Sequence, residues 1–294
     1  LAATSQLAVS TRAASPIALW HLLSLDAPTV AALWTWFIAR ASHVRLPLAS
    51  PAAMALAVWI LYAADRLLDA ARPGTGADLE ARHHFHHRHR RTLLAVIPLA
   101  AAALALLLRT LDSVAIQLYL IEGAFLLAWF LILHATRSAH RLPKELAVGL
   151  FFSCATFIPT VARSPGLRLS LLPAAMLFAA VCSLNCLFIY AWEHDEAWEH
   201  GEPATASPNQ RRPHSTTRVA VEHLAAITAA LIVAGIGLAV LGSPSARPLA
   251  AACAAAAAAL LAIDRARLRI SRIDLRAAAD VALLTPLLLL PLLR

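Results

Sequence analysis

The sequence predicts an all-α membrane protein, a bundle of about nine transmembrane helices. Composition is the first reason: 60% of the 294 residues are hydrophobic, only 14% are charged, and the mean hydropathy is +0.68. A soluble domain of this length carries more charge and shorter apolar runs. Run length is the second, because several stretches reach the roughly 20 residues that a helix needs to cross a bilayer. The third is texture: the runs are rich in Ala and Leu and show no recurring ten-residue alternation, so helices are expected and a β-barrel is not. The expected organisation is one polytopic domain over 1–294, with a polar N-terminal segment at 1–15 and cap loops at 70–91 and 194–217.

Nine candidate spans follow in order: 17–39, 50–69, 92–109, 113–135, 145–163, 170–193, 218–241, 247–263 and 277–293. The first contains Asp26 just before Pro28, where the acid either caps a helix segment or faces the interior. Asp26 also interrupts the apolar run, so the start of the chain reads poorly as a signal peptide. The second span closes on Tyr62-Ala-Ala-Asp65-Arg66-Leu-Leu-Asp69, which places Asp65 and Asp69 four residues apart on one helical face, a turn beyond Tyr62. Ionisable groups at the edge of hydrocarbon are costly, so such a pair points to a polar cavity, a partner or a metal. The third and fourth spans meet in a very tight connection, and the fourth buries a single acid, Glu122. Pro159, Pro173, Pro286 and Pro291 should kink their spans or mark their ends.

The sixth span ends Asn185-Cys-Leu-Phe-Ile-Tyr190-Ala-Trp192-Glu193, with Asn185 and Glu193 two turns apart on one face and Glu196 close to it. Two even-numbered spans thus deliver acids to the same end. Acids from two helices at one depth suit divalent cations with oxygen preference, magnesium above all. Asp280 in the ninth span is another lone acid, for which an Arg or hydroxyl partner is expected. Ala251–Ala259 offers small side chains for close helix packing, and most tryptophans lie near span ends, where an interfacial belt is expected. The four cysteines all fall inside apolar runs without zinc-like spacing and read as small apolar fillers.

The net charge of +8 does not indicate nucleic acid, because the basic residues sit in short loops. Sixteen Lys and Arg follow even-numbered spans, against six after odd-numbered spans (Arg40, Arg45, Arg109, Arg163, Arg168 and Arg247). The positive-inside rule then places the even loops and the N-terminus in the cytoplasm, as in a multi-pass protein of a prokaryotic cytoplasmic membrane. The loop at 82–91 holds five His and four Arg around Phe85. It reads in three ways: a metal site built on His83 and His87, a diphosphate clamp, or a basic helix that attracts anionic headgroups.

In these features the chain resembles the UbiA superfamily of intramembrane prenyltransferases. The residues that carry the resemblance are Leu61-Tyr62-x-x-Asp65-x-x-x-Asp69 followed by Arg72-Pro73, and Arg141-Leu-Pro-Lys144 opening a Gly-containing fifth span. The second acidic motif departs from the family pattern, reading Tyr190-x-x-Glu193-x-x-x-Ala197, with Glu193, Glu196 and Glu199 as a shifted series. The resemblance implies nine helices around a central cavity and transfer of an isoprenyl group from its diphosphate to a hydrophobic aromatic or lipid acceptor. It implies Mg2+ held by Asp65, Asp69, Glu193 and Glu196, with Tyr62, Arg66, Arg72, Arg141, Lys144, Asn185 and Tyr190 around the diphosphate. The drifted second motif keeps two further functions open: a diphosphate lyase or terpene cyclase, and a non-catalytic lipid- or quinone-binding protein.

Cysteine accessibility gives the topology a direct check. Single cysteines introduced at Ser138 and at Ser245 are expected to react with a membrane-impermeant maleimide from opposite sides of the membrane, the first only after the cytoplasmic face is opened.

Overall fold

In the computed structural model, residues 20, 23–70, 89–135, 144–199 and 215–293 are described. All regular structure among them is helical. The helices are α1 (Asp26–Ala41), α2 (Ala49–Ala70), α3 (Arg90–Leu108), α4 (Ser113–Ala135), α5 (Lys144–Arg163), α6 (Arg168–Glu199), α7 (Ser215–Glu222), α8 (Leu224–Leu241), α9 (Ala246–Ala266) and α10 (Arg272–Ala282). A short turn of helix, Pro286–Leu289, and a final 3-10 turn complete the chain.

Five of these segments are long and apolar enough to cross a membrane: α3, α5, Pro165–Glu193 at the start of α6, α8, and Ala246–Arg269 through α9. α2 and α4 are apolar over Ala49–Asp65 and Ser113–Trp129. The chain is therefore a helical membrane protein. Two expected spans are interrupted. The first, expected over 17–39, is broken at Ser24: Trp20 is helical, the chain turns at Ser24 with a φ of 55° that a helix does not allow, and α1 starts at Asp26. The ninth, expected over 277–293, stops at Ala282 and restarts at Pro286. Proline has no N–H to continue the ladder, so the helix breaks there. Pro98, Pro159 and Pro173, by contrast, lie inside continuous helices.

The interior is built around α1. It packs on α2, α5, α9 and α10, while α6 packs on α5, α8, α9 and α10. Trp34, Phe37 and Ile38 of α1 are fully buried, as are Phe178 and Phe188 of α6. Trp34 thus departs from the expected interfacial belt. Its ring stacks on Phe178 with centroids 3.9 Å apart, and its indole N–H donates to the Leu283 carbonyl at 2.8 Å. That carbonyl lies at the break after α10, where helix-end acceptors lose their own partners. At the same break, the Thr285 hydroxyl donates to the Ala252 carbonyl of α9 at 2.8 Å. Non-helical backbone inside a membrane protein persists only where protein satisfies it, and these two side chains do so.

α1 ends in a Schellman turn: Val44 N–H bonds to the Ala39 carbonyl at 2.8 Å and His43 N–H to the Arg40 carbonyl at 3.1 Å, with His43 at a φ of 54°. Close packing of α5 on α6 depends on Gly149, where a Cβ would collide with the Ser183 hydroxyl and the Ala179 carbonyl. α8 approaches α9 in the same manner through Gly235, against Ala250 and Ala254, within the small-residue stretch expected to allow it. α3 and α4 lie at the periphery with most of their apolar side chains exposed, as lipid-facing helices do.

Replacing Trp34 by Ala is expected to destabilise the protein by about 3–5 kcal/mol through the cavity it leaves. Trp34→Phe, which keeps a ring but strands the Leu283 carbonyl, is expected to cost about 1–3 kcal/mol. Both are read as lowered midpoints of thermal unfolding in detergent. Gly149→Ala should also lower the midpoint by separating α5 from α6.

Candidate functional site

The C-terminal ends of α2 and α6, the helix ends that carry the expected acids, lie at one end of the bundle. α5 runs antiparallel to α6, which the Ser153 hydroxyl bond to the Ala175 carbonyl at 2.8 Å and the contact of Gly149 with Ser183 both register. The start of α5 therefore lies beside the end of α6. α2 joins the same end through an apolar cluster in which Met54 and Val58, with Tyr62 beside them, meet Ala27 and Ala31 of α1 and Phe152 and Ala155 of α5.

On α2 the stripe Met54, Val58, Tyr62 advances by three or four residues per step, so Asp65 continues it by one turn. Tyr62 is half-buried and Asp65 is exposed. The acid thus stands where the packed seam between α2 and α5 opens. Asp69 belongs to α2 as well, but its side chain, with that of Arg66, lies outside the described residues, as do Arg72 and Arg141. Lys144 is the first residue of α5 and is exposed.

The α6 half is differently engaged. Glu193 forms an ion pair with Arg276 of α10. Asn185 is buried and donates its amide N–H to Asp280 Oδ1 at 3.1 Å, while its own Oδ1 finds no hydrogen-bond partner among the described residues. Trp192, also buried, donates to Asp264 Oδ1 of α9 at 2.8 Å, and Arg267 reaches the same oxygen at 3.2 Å. Tyr190 is half-buried, and the Thr217 hydroxyl of α7 donates to Glu145 Oε2 of α5 at 3.1 Å. Glu196 is part of α6, with its side chain outside the described residues.

These bonds give α6 a set of internal partners that sequence reasoning misses. Arg276 counts there only as a loop charge, and Glu145 and Asp264 receive no role. The signal available is the spacing of Arg276 and Asp280, four apart and hence on one face of α10. Among the described residues α2 and α6 are not close backbone neighbours; α5 packs on both. Among the described residues no three His, Cys, Asp or Glu side chains gather as a metal site. The five-His run lies almost wholly outside them, only His89 being described, at the start of α3. At the opposite end, a small cleft opens between Pro47 and Ser50, Asp112, and Pro159 and Arg163.

No family model, no curated protein and no solved structure matches the chain.

The Glu193–Arg276 pair joins two side chains that are 32% and 12% exposed, so solvent screens it only in part. A double-mutant cycle with Glu193→Gln and Arg276→Gln is expected to give a coupling energy of about 0.5–3 kcal/mol. Additive losses in the two single variants would show that the pair does not hold α10 to α6.

Proposed function

We propose that this chain is an intramembrane prenyltransferase of the UbiA kind, acting at the end of the bundle that holds Asp65, with that end on the cytoplasmic side. The observation that carries the reading is the passage of one helix face from buried Met54, Val58 and half-buried Tyr62 to exposed Asp65. An isoprenyl diphosphate has the same polarity, a long apolar chain ending in a dense anion. Laid along this seam, its chain would meet Tyr62, Val58 and Phe152, and its diphosphate would meet Asp65, Asp69 and the basic residues nearby.

Asp65 and Asp69, four residues apart on α2, would be the residues to offer carboxylate oxygens to one magnesium ion. It does not fit a second ion at α6, because Glu193 is already paired with Arg276. When bound, magnesium would supply charge neutralisation as the allylic C–O bond breaks and diphosphate departs. Lys144, with Arg66, Arg72 and Arg141 from the adjoining segments, would hold the diphosphate by charge-assisted hydrogen bonds. Arg276 is the fixed cation on the α6 side, where the family pattern calls for acids. Tyr62 would shield the allylic carbon from water, so that a hydrophobic acceptor attacks first and loses its proton.

The commitment of Glu193 to Arg276 favours a second reading on the same fold. A site with fewer metal ligands would ionise the diphosphate without an acceptor and release an eliminated or cyclised hydrocarbon.

Purified protein supplied with farnesyl diphosphate and magnesium is expected to release pyrophosphate. Asp65→Asn and Asp69→Asn are each expected to lower kcat/KM by about a hundredfold or more, the scale seen when a charge-stabilising group is removed. Full turnover in both variants would overturn the proposal. Pyrophosphate release that persists with no acceptor present, with a hydrocarbon as co-product, would select the second reading.

A further inference from the structure

Glu122 is the only charged residue in the apolar stretch Ser113–Trp129 of α4. It lies nine residues past Ser113, about 14 Å along the helix at 1.5 Å per residue, close to mid-depth in a hydrocarbon core of about 30 Å. Its side chain is half-buried on the side facing α5, within electrostatic range of Cys154. Tyr119, one turn earlier, donates its hydroxyl to the Ala155 carbonyl at 3.2 Å, so it is committed to α5. Glu122 Oε1 is buried and has no hydrogen-bond partner among the described residues, although the carboxyl lies within hydrogen-bonding range of the Ala155 backbone, and none of the ion pairs among them involves it.

A carboxylate at this depth with no cation beside it is strongly disfavoured, so the group keeps its proton. A neutral carboxyl carries an O–H donor that needs an acceptor. The neighbourhood is open to lipid: among the described residues Ile121, Phe125, Leu150 and Cys154 are exposed. A cation is a poor occupant, since Tyr119 is already engaged and no second acid among the described residues stands nearby to help strip its water.

We propose that Glu122 is a neutral, lipid-accessible hydrogen-bond donor that receives an uncharged hydrophobic molecule with a carbonyl oxygen, at the lipid-facing seam between α4 and α5. This site is separate from the acidic end and does not depend on the prenyltransferase reading.

Dicyclohexylcarbodiimide tests it on the intact chain in lipid nanodiscs. The carboxyl O–H adds across one C=N bond of the reagent to give an O-acylisourea. The acyl group then moves from oxygen to nitrogen, leaving a stable N-acylurea with no atom lost and no co-reactant. Peptide mass spectrometry is expected to find the adduct on Glu122 and to find none there with a water-soluble cationic carbodiimide. A Glu122→Gln variant confirms the peptide assignment. Added 2-tridecanone is expected to slow labelling about fivefold relative to tridecane, the worth of one hydrogen bond. Absence of the adduct, equal labelling by both reagents, or equal effects of ketone and alkane would each overturn the proposal.

Discussion

The break after α10 is the constraint on which the rest of the interior depends. A helix that stops inside an apolar bundle exposes carbonyls that lipid cannot satisfy, so protein must come to them. Trp34 does this from α1 by reaching the Leu283 carbonyl, and its ring is held flat against Phe178 of α6. One side chain therefore ties α1, α6 and the end of α10 together. This explains why α1, shorter than the helices α2, α5 and α9 that it joins, is also so deeply buried: its burial answers the break rather than a need to cross the bilayer alone.

Around this centre, the helix ends that carry the acids have unlike surroundings among the described residues. The α2 half presents an exposed acid above an apolar seam. The α6 half is cross-linked to α10 and α9 through Glu193–Arg276, Asn185–Asp280 and Trp192–Asp264. Partly buried ion pairs and hydrogen bonds between side chains fix the register of helices when apolar packing alone leaves it loose. The polar residues of α6 thus serve the position of α10.

Much of this is legible in the chain. The helical class, the tight connection before α4 and the apolar stretches of α3, α5, α6, α8 and α9 follow from run length and composition, which act locally. The stripe from Met54 to Asp65 is equally local, since spacing of three and four fixes a helical face. Less legible are the two interruptions. Asp26 and Pro28 read as punctuation inside one span, yet the turn at Ser24 separates the helical Trp20 from α1. Pro286 reads as a kink, whereas the chain uses it to end one helix and start another turn.

Sequence by itself determined that this protein is a set of apolar helices with acids at particular helix ends and one acid, Glu122, in the middle of α4. Hydropathy and helical period need no partner to be read. Only the tertiary structure decided which acids are engaged. Glu193 meets Arg276 across 83 residues of chain and Asn185 meets Asp280 across 95, while Glu122 Oε1 meets no partner among the described residues. Pairing at such separations is set by which helix faces the packing brings together, and no local pattern encodes that.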